Sequence, residues 1–337
     1  MTHFVWFKPL ATLLSVSLLL LGLCAHKDYQ CAMQSPVVSN TPILLEIEKG
    51  DSFSRITEKL KAQSVVIKPF WFKFLAYKDR SFNKIKTGEY ELLPGLTMPG
   101  LLSLFVLGKT KQHSMTIPEG LNFKQVLQKL EQEPNLKHTL TEQQSAVLMQ
   151  ALGAELNHPE GVFFPDTYYF EKHTEDRAIL KRAYQKMQTV LTTAWQTREA
   201  DLPLSTPYEA LILASIVEKE TAVASERPLI AGLFIQRLKQ HMPLQTDPTV
   251  IYGMGERYHG NIKRADLTTS TPYNTYTFKG LPPTPIAMPG QESIKAVLHP
   301  DASDYLYFVA KGDGSHQFSK TLAEHNKAVA LYQKRRP

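Results

Sequence analysis

Residues Pro207–Thr221 read PYEALILASIVEKET, and this stretch places the centre of the molecule. Thr206 and Glu209 stand at T-x-x-E spacing, that of a capping box, and Pro207 falls at the first helical position. Both mark a helix start. From Ala210 to Val217 only Ser215 is polar, so no face is left for water. A helix apolar on all sides belongs inside a core. Glu218 follows one turn after Ala214 and two turns after Leu211, on a stripe that should still point inward. A carboxylate held there loses hydration, and desolvation raises its pKa toward the range of a general acid. Charged residues also end buried helices as solvated caps, so the surroundings must decide between a catalytic and a structural Glu218.

Outward from this helix, Glu175–Arg198 has Ile179, Ala183, Met187, Val190 and Ala194 on one face and predicts a long helix. Thr141–Leu152 predicts a shorter one capped at Thr141. Between them, Asn157–Phe170 (NHPEGVFFPDTYYF) is dense in aromatics and proline and predicts irregular structure. On the other side, Ser225–Leu238 and Ser319–Gln333 predict helices and Tyr305–Ala310 a strand. Thr271–Pro289 holds prolines at 272, 282, 283, 285 and 289, which exclude a helix or a central strand. Nearer the N-terminus, Ile43–Glu48, Phe53–Ala62, Pro69–Tyr77 and Thr87–Leu92 predict strand, helix, helix, strand, and Met98–Val106 a further helix. That is a small α+β module. Ahead of it, the polar stretch Asp28–Thr41 reads as a linker.

Phe4–Ala25 reads FVWFKPLATLLSVSLLLLGLCA, interrupted only by Lys8 and Pro9. The length, about 20 residues, suits a bilayer core, and Trp6 and Lys8 sit where an interfacial belt is expected. Leu23 spoils the small-residue pattern of a cleavage site before Ala25, and likewise a lipoprotein signal at Cys24. The reading is an uncleaved anchor in a bacterial inner membrane, with the bulk of the chain periplasmic or extracytoplasmic. The two cysteines, Cys24 and Cys31, lie in or beside it, so the remainder has no disulfide or thiol chemistry. A net charge of +6 is modest and dispersed. It suits a lipid headgroup layer or a cell-wall polymer and excludes a nucleic-acid-binding block. The basic end KRRP reads as a solvated tail.

No nucleotide-binding glycine motif, no H-E-x-x-H, no cysteine pair and no G-x-S-x-G elbow is present. Neither a metal nor a cofactor is expected. Several segments are instead rich in aromatics, amides and hydroxyls, the groups that stack on and bond to sugars. They are Phe163–Tyr169, Gln245–Tyr252, Tyr273–Tyr276 and the helix of Glu218. Together they point to a cleft. Gln245, Asp247, Tyr273 and Asn274 are the candidates to hold sugar and acetamido groups. Phe164 and Tyr168 are candidate substrate-binding residues, although Phe163 and Phe164 are of a kind more often found in a core than as a platform, and Asp166 reads as a turn residue.

Five segments in order carry a resemblance: I-P-E-G at 117–120, E-G-V-F-F-P-D-T-Y at 160–168, A-S-I-V-E-K-E-T at 214–221, L-Q-T-D-P-T-V-I-Y-G at 244–253, and P-Y-N-T-Y at 272–276 with G-L-P-P-T-P-I at 280–286. From about Ile43 to the C-terminus the chain resembles the endolytic murein transglycosylase family (MltG, YceG-like). The chain is thus expected to be α+β in four parts: a transmembrane helix over 1–27 and a linker over 28–41, read from the residues, and, as the resemblance implies, a LysM-like module over 42–112 and a mixed α+β catalytic domain over 113–337 built on the buried helix. The resemblance also implies Glu218 as the catalytic acid/base. The implied activity is nonhydrolytic cleavage of MurNAc–GlcNAc β-1,4 bonds in nascent glycan strands, leaving 1,6-anhydro-MurNAc ends, beside peptidoglycan synthases of the elongation or division machinery.

Glu218 and Glu220 stand about 200° apart around a helix and cannot both face one sugar. Most glycosidases need two carboxylates, but one suffices if the substrate's own C6 hydroxyl attacks C1. Glu220 is then read as structural, in a salt bridge or a cap. Two other readings stay open: a noncatalytic glycan-binding scaffold, and a hydrolase that uses Asp247 as the second carboxylate.

Overall fold

The computed structural model describes residues 7–140, 145–154 and 158–333. The predicted cap at Thr141, the start of the 157–170 segment, Trp6 and the KRRP end lie outside them. The chain divides into two compact units, Met1–His113 and Ser114–Pro337.

The first unit runs α1 (Phe7–Gln34), β1 (Ile43–Ile47), α2 (Phe53–Ala62), α3 (Pro69–Lys78), β2 (Gly88–Leu92) and α4 (Met98–Leu107). β1 and β2 pair antiparallel, from Ile43 opposite Leu92 to Ile47 opposite Gly88, which gives the strand–helix–helix–strand order expected from the sequence. Local chemistry sets the helix ends. Ser52 Oγ accepts the Arg55 N–H at 3.2 Å to start α2, and Gly108, at φ 67°, ends α4 in the left-handed region. Leu45, Leu60, Phe72, Tyr90, Leu92, Leu101 and Phe105 form the buried interior. The one hydroxyl among them, that of Tyr90, donates to Lys86 O at 2.8 Å.

The expected transmembrane segment over 1–27 lies partly outside the described residues, and among the described residues no helix is long and apolar enough to cross a membrane. The apolar part of α1 is bounded by Lys8 on one side and by His26, Lys27 and Asp28 on the other. The 28–41 segment is not a loose linker either. α1 continues to Gln34, and Val37 and Val38 are buried. Val37 N–H donates to Leu96 O at 2.6 Å and its carbonyl accepts the Val66 N–H at 2.8 Å. Two apolar residues, hidden in a polar composition, are enough to strap the segment down.

The second unit begins with β3 (His113–Thr116), α5 (Phe123–Glu131), β4 (Leu136–Lys137), α6 (Ser145–Ala151), β5 (Thr167–Phe170) and β6 (Thr174–Glu175). It continues through α7 (Asp176–Gln196), α8 (Pro207–Glu220), α9 (Arg227–Lys239), α10 (Asp247–Met254), α11 (Arg264–Thr268) and α12 (Gln291–Leu298). It ends with β7 (Tyr307–Ala310), β8 (His316–Ser319) and α13 (Leu322–Tyr332). β3 pairs with β5, β4 with β6 and β7 with β8, so the architecture is mixed α+β and mainly helical. β5 corrects the expectation of irregular structure as far as Phe170; its TYYF sequence is rich in aromatic strand formers.

α8 is the central element. Every residue from Ala210 to Val217 is buried, with α7, α9, α10 and α12 packed around it. Thr206 Oγ1 accepts the Glu209 N–H at 3.2 Å, while the Glu209 carboxylate reaches one residue further back, to the Ser205 N–H at 2.6 Å. Ser215, the polar exception, donates to Ile212 O at 2.7 Å and accepts the Ile286 N–H at 2.9 Å. Its hydroxyl thereby fixes the proline-rich 280–286 segment against α8. That segment also needs Gly161. At φ 77° a Cβ there would lie 2.3 Å from Pro285 Cβ, so the two motifs meet only because glycine is between them.

Candidate active site

The last turn of α8 carries two carboxylates, and each meets a different part of the unit. Glu218 is half-buried rather than fully enclosed. Its Oε2 accepts the Gly290 N–H at 2.9 Å, and Gly290 is the N-cap of α12. This bond orients the carboxylate. Among the described residues its Oε1 accepts no hydrogen bond, which leaves one oxygen to carry and deliver a proton.

The I-P-E-G turn closes in on the same group. Gly120 N–H donates to Met288 O at 2.9 Å and Met288 N–H to Leu121 O at 2.7 Å, so the turn is laced to the stretch that leads into α12. Gly120 is at φ 75°, and a Cβ there would touch Glu218 Cγ at 3.9 Å. Lys219 Nζ donates to Gly120 O at 3.1 Å. Glu119 crowds Gly290 as Glu218 does: a Cβ on that glycine would lie 1.9 Å from Glu119 Oε1. Burial, and next the charge of Glu218, raise the Glu119 pKa. Two carboxyl groups therefore share one glycine, and Glu119 is the one that holds a proton more readily than usual.

Glu220 points the other way, into the wall of a cavity of about 420 Å³. Burial pushes its carboxyl up to about 7. A bond from the Thr246 hydroxyl opposes the shift, as do the charges of His316 and Arg237, while Asp247 adds to it. Thr246 is the N-cap of α10, so Glu220 ties the end of α8 to the start of α10. That agrees with its expected structural role; among the described residues it makes no salt bridge.

Three neighbouring segments build the rest of the cavity. Arg237 on α9 clamps the turn before α10, its Nη1 donating to Leu244 O at 2.6 Å. Its Nε donates to Leu306 O at 2.8 Å, just before β7. This clamp holds Gln245 in a left-handed conformation, φ 50°, with its side chain exposed in the cavity. Asp247 opens α10, and its Oδ1 accepts the Tyr276 hydroxyl at 2.6 Å. Thr275 joins the two strips of chain, its carbonyl accepting the Gln245 N–H at 3.1 Å and its Oγ1 the Thr246 N–H at 3.1 Å. Tyr307 and Phe308 on β7, His316 on β8 and His325 on α13 complete the wall. Behind it, Glu226 accepts the His316 backbone N–H at 2.9 Å and meets the ring Nδ1 at 2.7 Å. Burial opposes its charge, yet the bonds from His316 hold the Glu226 carboxyl below its usual value. The imidazole is thereby fixed in the wall.

Four of the other sequence candidates are packing residues, which corrects their expected place in the cleft. Phe164 is buried beneath Lys186, whose Nζ stands 5.0 Å above its ring. Tyr168 is buried too, and its hydroxyl donates to Phe164 O at 2.6 Å. Both belong to the core facing α7. Tyr273 meets Tyr252 edge-on at 4.8 Å and its hydroxyl bonds Thr284 Oγ1 at 2.9 Å. Asn274 is 1% exposed. Its Nδ2 faces three carbonyls, those of Asp266, Leu267 and Thr269, at 3.0, 3.2 and 2.6 Å, and its Oδ1 accepts the Tyr276 N–H at 3.0 Å. Asn274 is thus a staple that sets Tyr276 in place. Asn274→Ala leaves these groups unpaired and should lower stability by about 1–3 kcal/mol, read as a fall in the denaturant midpoint. Asp166 does hold a turn, accepting the Thr167 N–H at 2.7 Å, and pairs with Lys186.

The sequence reading gave no site role to Glu119, Arg237, Tyr307 or His316, and placed Tyr276 in a cleft segment without naming it as a binding residue. One signal for Glu119 was available, since it is the charged member of the I-P-E-G segment. Tyr276 likewise closes the P-Y-N-T-Y segment. Arg237, Tyr307 and His316 stand in ordinary helix and strand patterns, with nothing local to set them apart.

A model of the YceG-like family matches residues 45–331. An endolytic murein transglycosylase of Bacillus subtilis (strain 168) is 33% identical over 311 residues, covering 87% of this chain and 86% of that protein. One from Streptococcus pneumoniae serotype 2 (strain D39 / NCTC 7466) is 28% identical and covers 94% of this chain, which spans only 63% of that longer relative. Among solved structures, a yceG-like protein of Listeria monocytogenes is similar with a TM-score of 0.54 and 31% identity, over 86% of this chain and 99% of that one. With a family match that runs from β1 into α13, the chain belongs to the YceG-like family.

Proposed function

We propose that the chain is a peptidoglycan lytic transglycosylase that cuts within glycan strands, with Glu218 as its single acid and base. The relatives named endolytic murein transglycosylases support the activity. The observation that carries the residue assignment is the half-buried Glu218 carboxylate, held through Oε2 by the Gly290 N–H and flanked by the I-P-E-G turn. The family resemblance assigns the same residue.

Protonated Glu218 gives its proton to the glycosidic oxygen as the C1–O bond breaks. The resulting carboxylate takes the proton of the MurNAc C6 hydroxyl as that oxygen bonds to C1. Its proton is restored and no water is consumed. The Gly290 N–H holds the carboxyl in position through both transfers. Glu218 and Glu220 are only about 3 Å apart along the helix axis, so a polymer crossing the end of α8 can meet both. Gln245 and the Tyr276–Asp247 pair are then the groups to bond hydroxyls and the acetamido group of a neighbouring sugar, and Tyr307 offers a ring face.

A second reading makes Glu220 the acid, favoured by its value of about 7 in the wall of a cavity. A carboxyl there exchanges its proton near neutral pH. Its bond to the N-cap of α10 favours the structural role instead.

Mass spectrometry of glycan strands digested by the protein tests the activity. The expected products end in 1,6-anhydro-MurNAc. A hydrolase using Asp247 as a second carboxylate would give ends about 18 mass units heavier, because it adds water. No new ends at all would make the chain a glycan-binding scaffold. The strand–helix–helix–strand order of the first unit supports its reading as a LysM-like glycan-binding module. Placement at the bacterial inner membrane is part of the proposal, supported by leucines of α1 from Leu13 to Leu23 that lie exposed on the helix. The family resemblance adds peptidoglycan synthases as the class of partner.

A further inference from the structure

α3 carries an aromatic stripe that faces away from its own unit. Phe70, Phe74 and Tyr77 stand at i, i+4 and i+7, hence on one face, and are 72%, 44% and 75% exposed. Phe72, Leu75 and Ala76 supply the opposite, buried face, so packing is already satisfied without the stripe. Exposed aromatics at this spacing are costly to keep in water and mark a docking surface.

Two observations say what covers it. First, the stripe joins α1. Trp71 meets Phe70 at 4.8 Å, Phe74 at 5.9 Å and Tyr29 of α1 at 5.2 Å, ring centre to ring centre. Its Nε1–H donates to Asp28 at 2.7 Å. Ala25, His26 and Tyr29 on α1 border an open cavity of about 290 Å³ together with Trp71, Phe74 and Lys78. From that point toward the N-terminus, the leucines of α1 between Leu13 and Leu23 are 55–67% exposed. One apolar surface runs from α1 onto α3. Second, its charges are basic. Lys73 and Lys78 lie on α3, Lys68 just before it and Lys27 on α1, against two carboxylates, Asp28, which is held by Lys68 and Trp71, and Asp79 at the helix end, so the balance is positive. Aromatic rings bordered by lysines, next to a leucine-rich helix, match an anionic lipid interface rather than a protein groove.

We propose that α3 is a membrane-surface helix, with Phe70, Phe74 and Tyr77 inserted at the boundary between headgroups and acyl chains and the lysines among anionic headgroups. This rests on the reading that α1 meets lipid. The sequence holds three tryptophans, so the full-length Trp6→Phe/Trp195→Phe protein leaves Trp71 as sole reporter. It is reconstituted with vesicles of phosphatidylethanolamine and phosphatidylglycerol whose acyl chains are brominated. The expected result is that the protein floats with the vesicles and that bromine quenches Trp71 emission by roughly half. Adding Phe70→Ser, Phe74→Ser and Tyr77→Ser should abolish the quenching while flotation and far-UV circular dichroism persist. Flotation with an unquenched Trp71 overturns the proposal and leaves the α1 reading standing, with a protein partner as the occupant of α3. Failure to float overturns both.

Discussion

Glu218→Gln is expected to lower the rate of glycan-strand cleavage by roughly 10²–10⁴-fold, the usual contribution of a general acid–base group. Glu220→Gln is expected to leave it within a few-fold of the parent. The two substitutions are chemically identical and two residues apart, so stability, charge and expression offer no ready explanation for a difference. Geometry does. A glutamine amide at position 218 would still accept the Gly290 N–H that Glu218 accepts at 2.9 Å, and α12 would stay in place. That amide has no acidic proton to give the leaving oxygen. At position 220 the amide oxygen would still accept the Thr246 hydroxyl bond, and the start of α10 would stay tied to α8. Initial rates of formation of anhydro-ended products, measured on both proteins, decide the matter. An inactive Glu220→Gln beside an active Glu218→Gln would hand the acid to the carboxyl in the cavity wall. The pH profile provides a second reading. Were Glu220 the acid, kcat/KM would fall above about 7, and Asp247→Asn would move that limb down because it removes a charge that raises the Glu220 pKa. With Glu218 as the acid, Asp247→Asn should leave the limb in place and raise KM only a few-fold, since the amide oxygen still accepts the Tyr276 hydroxyl but without the charge that strengthens the 2.6 Å bond.

How far the site could be read from the sequence has a physical limit. Composition and spacing identify α8 as buried and locate its start at Thr206 and Pro207, and the structure agrees on both. Side-chain periodicity then says only that Glu218 and Glu220 face different neighbours. That Glu218 meets the N-cap of α12 and the I-P-E-G turn, and Glu220 the N-cap of α10, depends on contacts remote in sequence. The same limit explains Phe164, Tyr168 and Asn274. Aromatics and amides serve equally as ligand groups and as packing or staples, and only the arrival of α7 or of the 266–269 carbonyls separates the two uses. In the first unit the order of elements was legible because hydrophobic spacing and caps are local. The burial of Val37 and Val38 was not, since two residues cannot outweigh a polar window.

Stability of the second unit should fall as pH rises from about 5 to 8, and Glu160→Gln should remove a large part of that fall. Glu160 is 3% exposed. Its two oxygens accept the Phe123 N–H at 2.9 and 3.2 Å, and Oε2 also accepts the Tyr252 hydroxyl at 3.0 Å. It thus joins the first residue of α5 to α10. Burial pushes its carboxyl from 4.5 up to about 7 despite these bonds. Between the two values the folded chain holds a proton that the unfolded chain has released. The associated stability is therefore complete below about 4.5 and is lost as pH rises through about 7, with a size of about 3 kcal/mol. Glu220 lies at about the same value, and Glu119 is raised as well; both act with the same sign. One substitution therefore removes only part of the dependence. The carboxylates whose pKa is lowered, such as Asp166 and Glu226, contribute with the opposite sign, and their window lies below their usual values, outside this range; His158 and His325, lowered by burial, also act with the opposite sign and offset part of the fall up to about 6.5. A glutamine at position 160 keeps an acceptor for the Phe123 N–H without a charge to bury. The variant should match or exceed the parent at pH 8 and gain less than the parent on acidification. Denaturant midpoints at pH 5 and pH 8, followed by Trp195 fluorescence in a Trp6→Phe/Trp71→Phe background, measure the difference. If Glu160→Gln shifts with pH as much as the parent does, the buried proton is elsewhere.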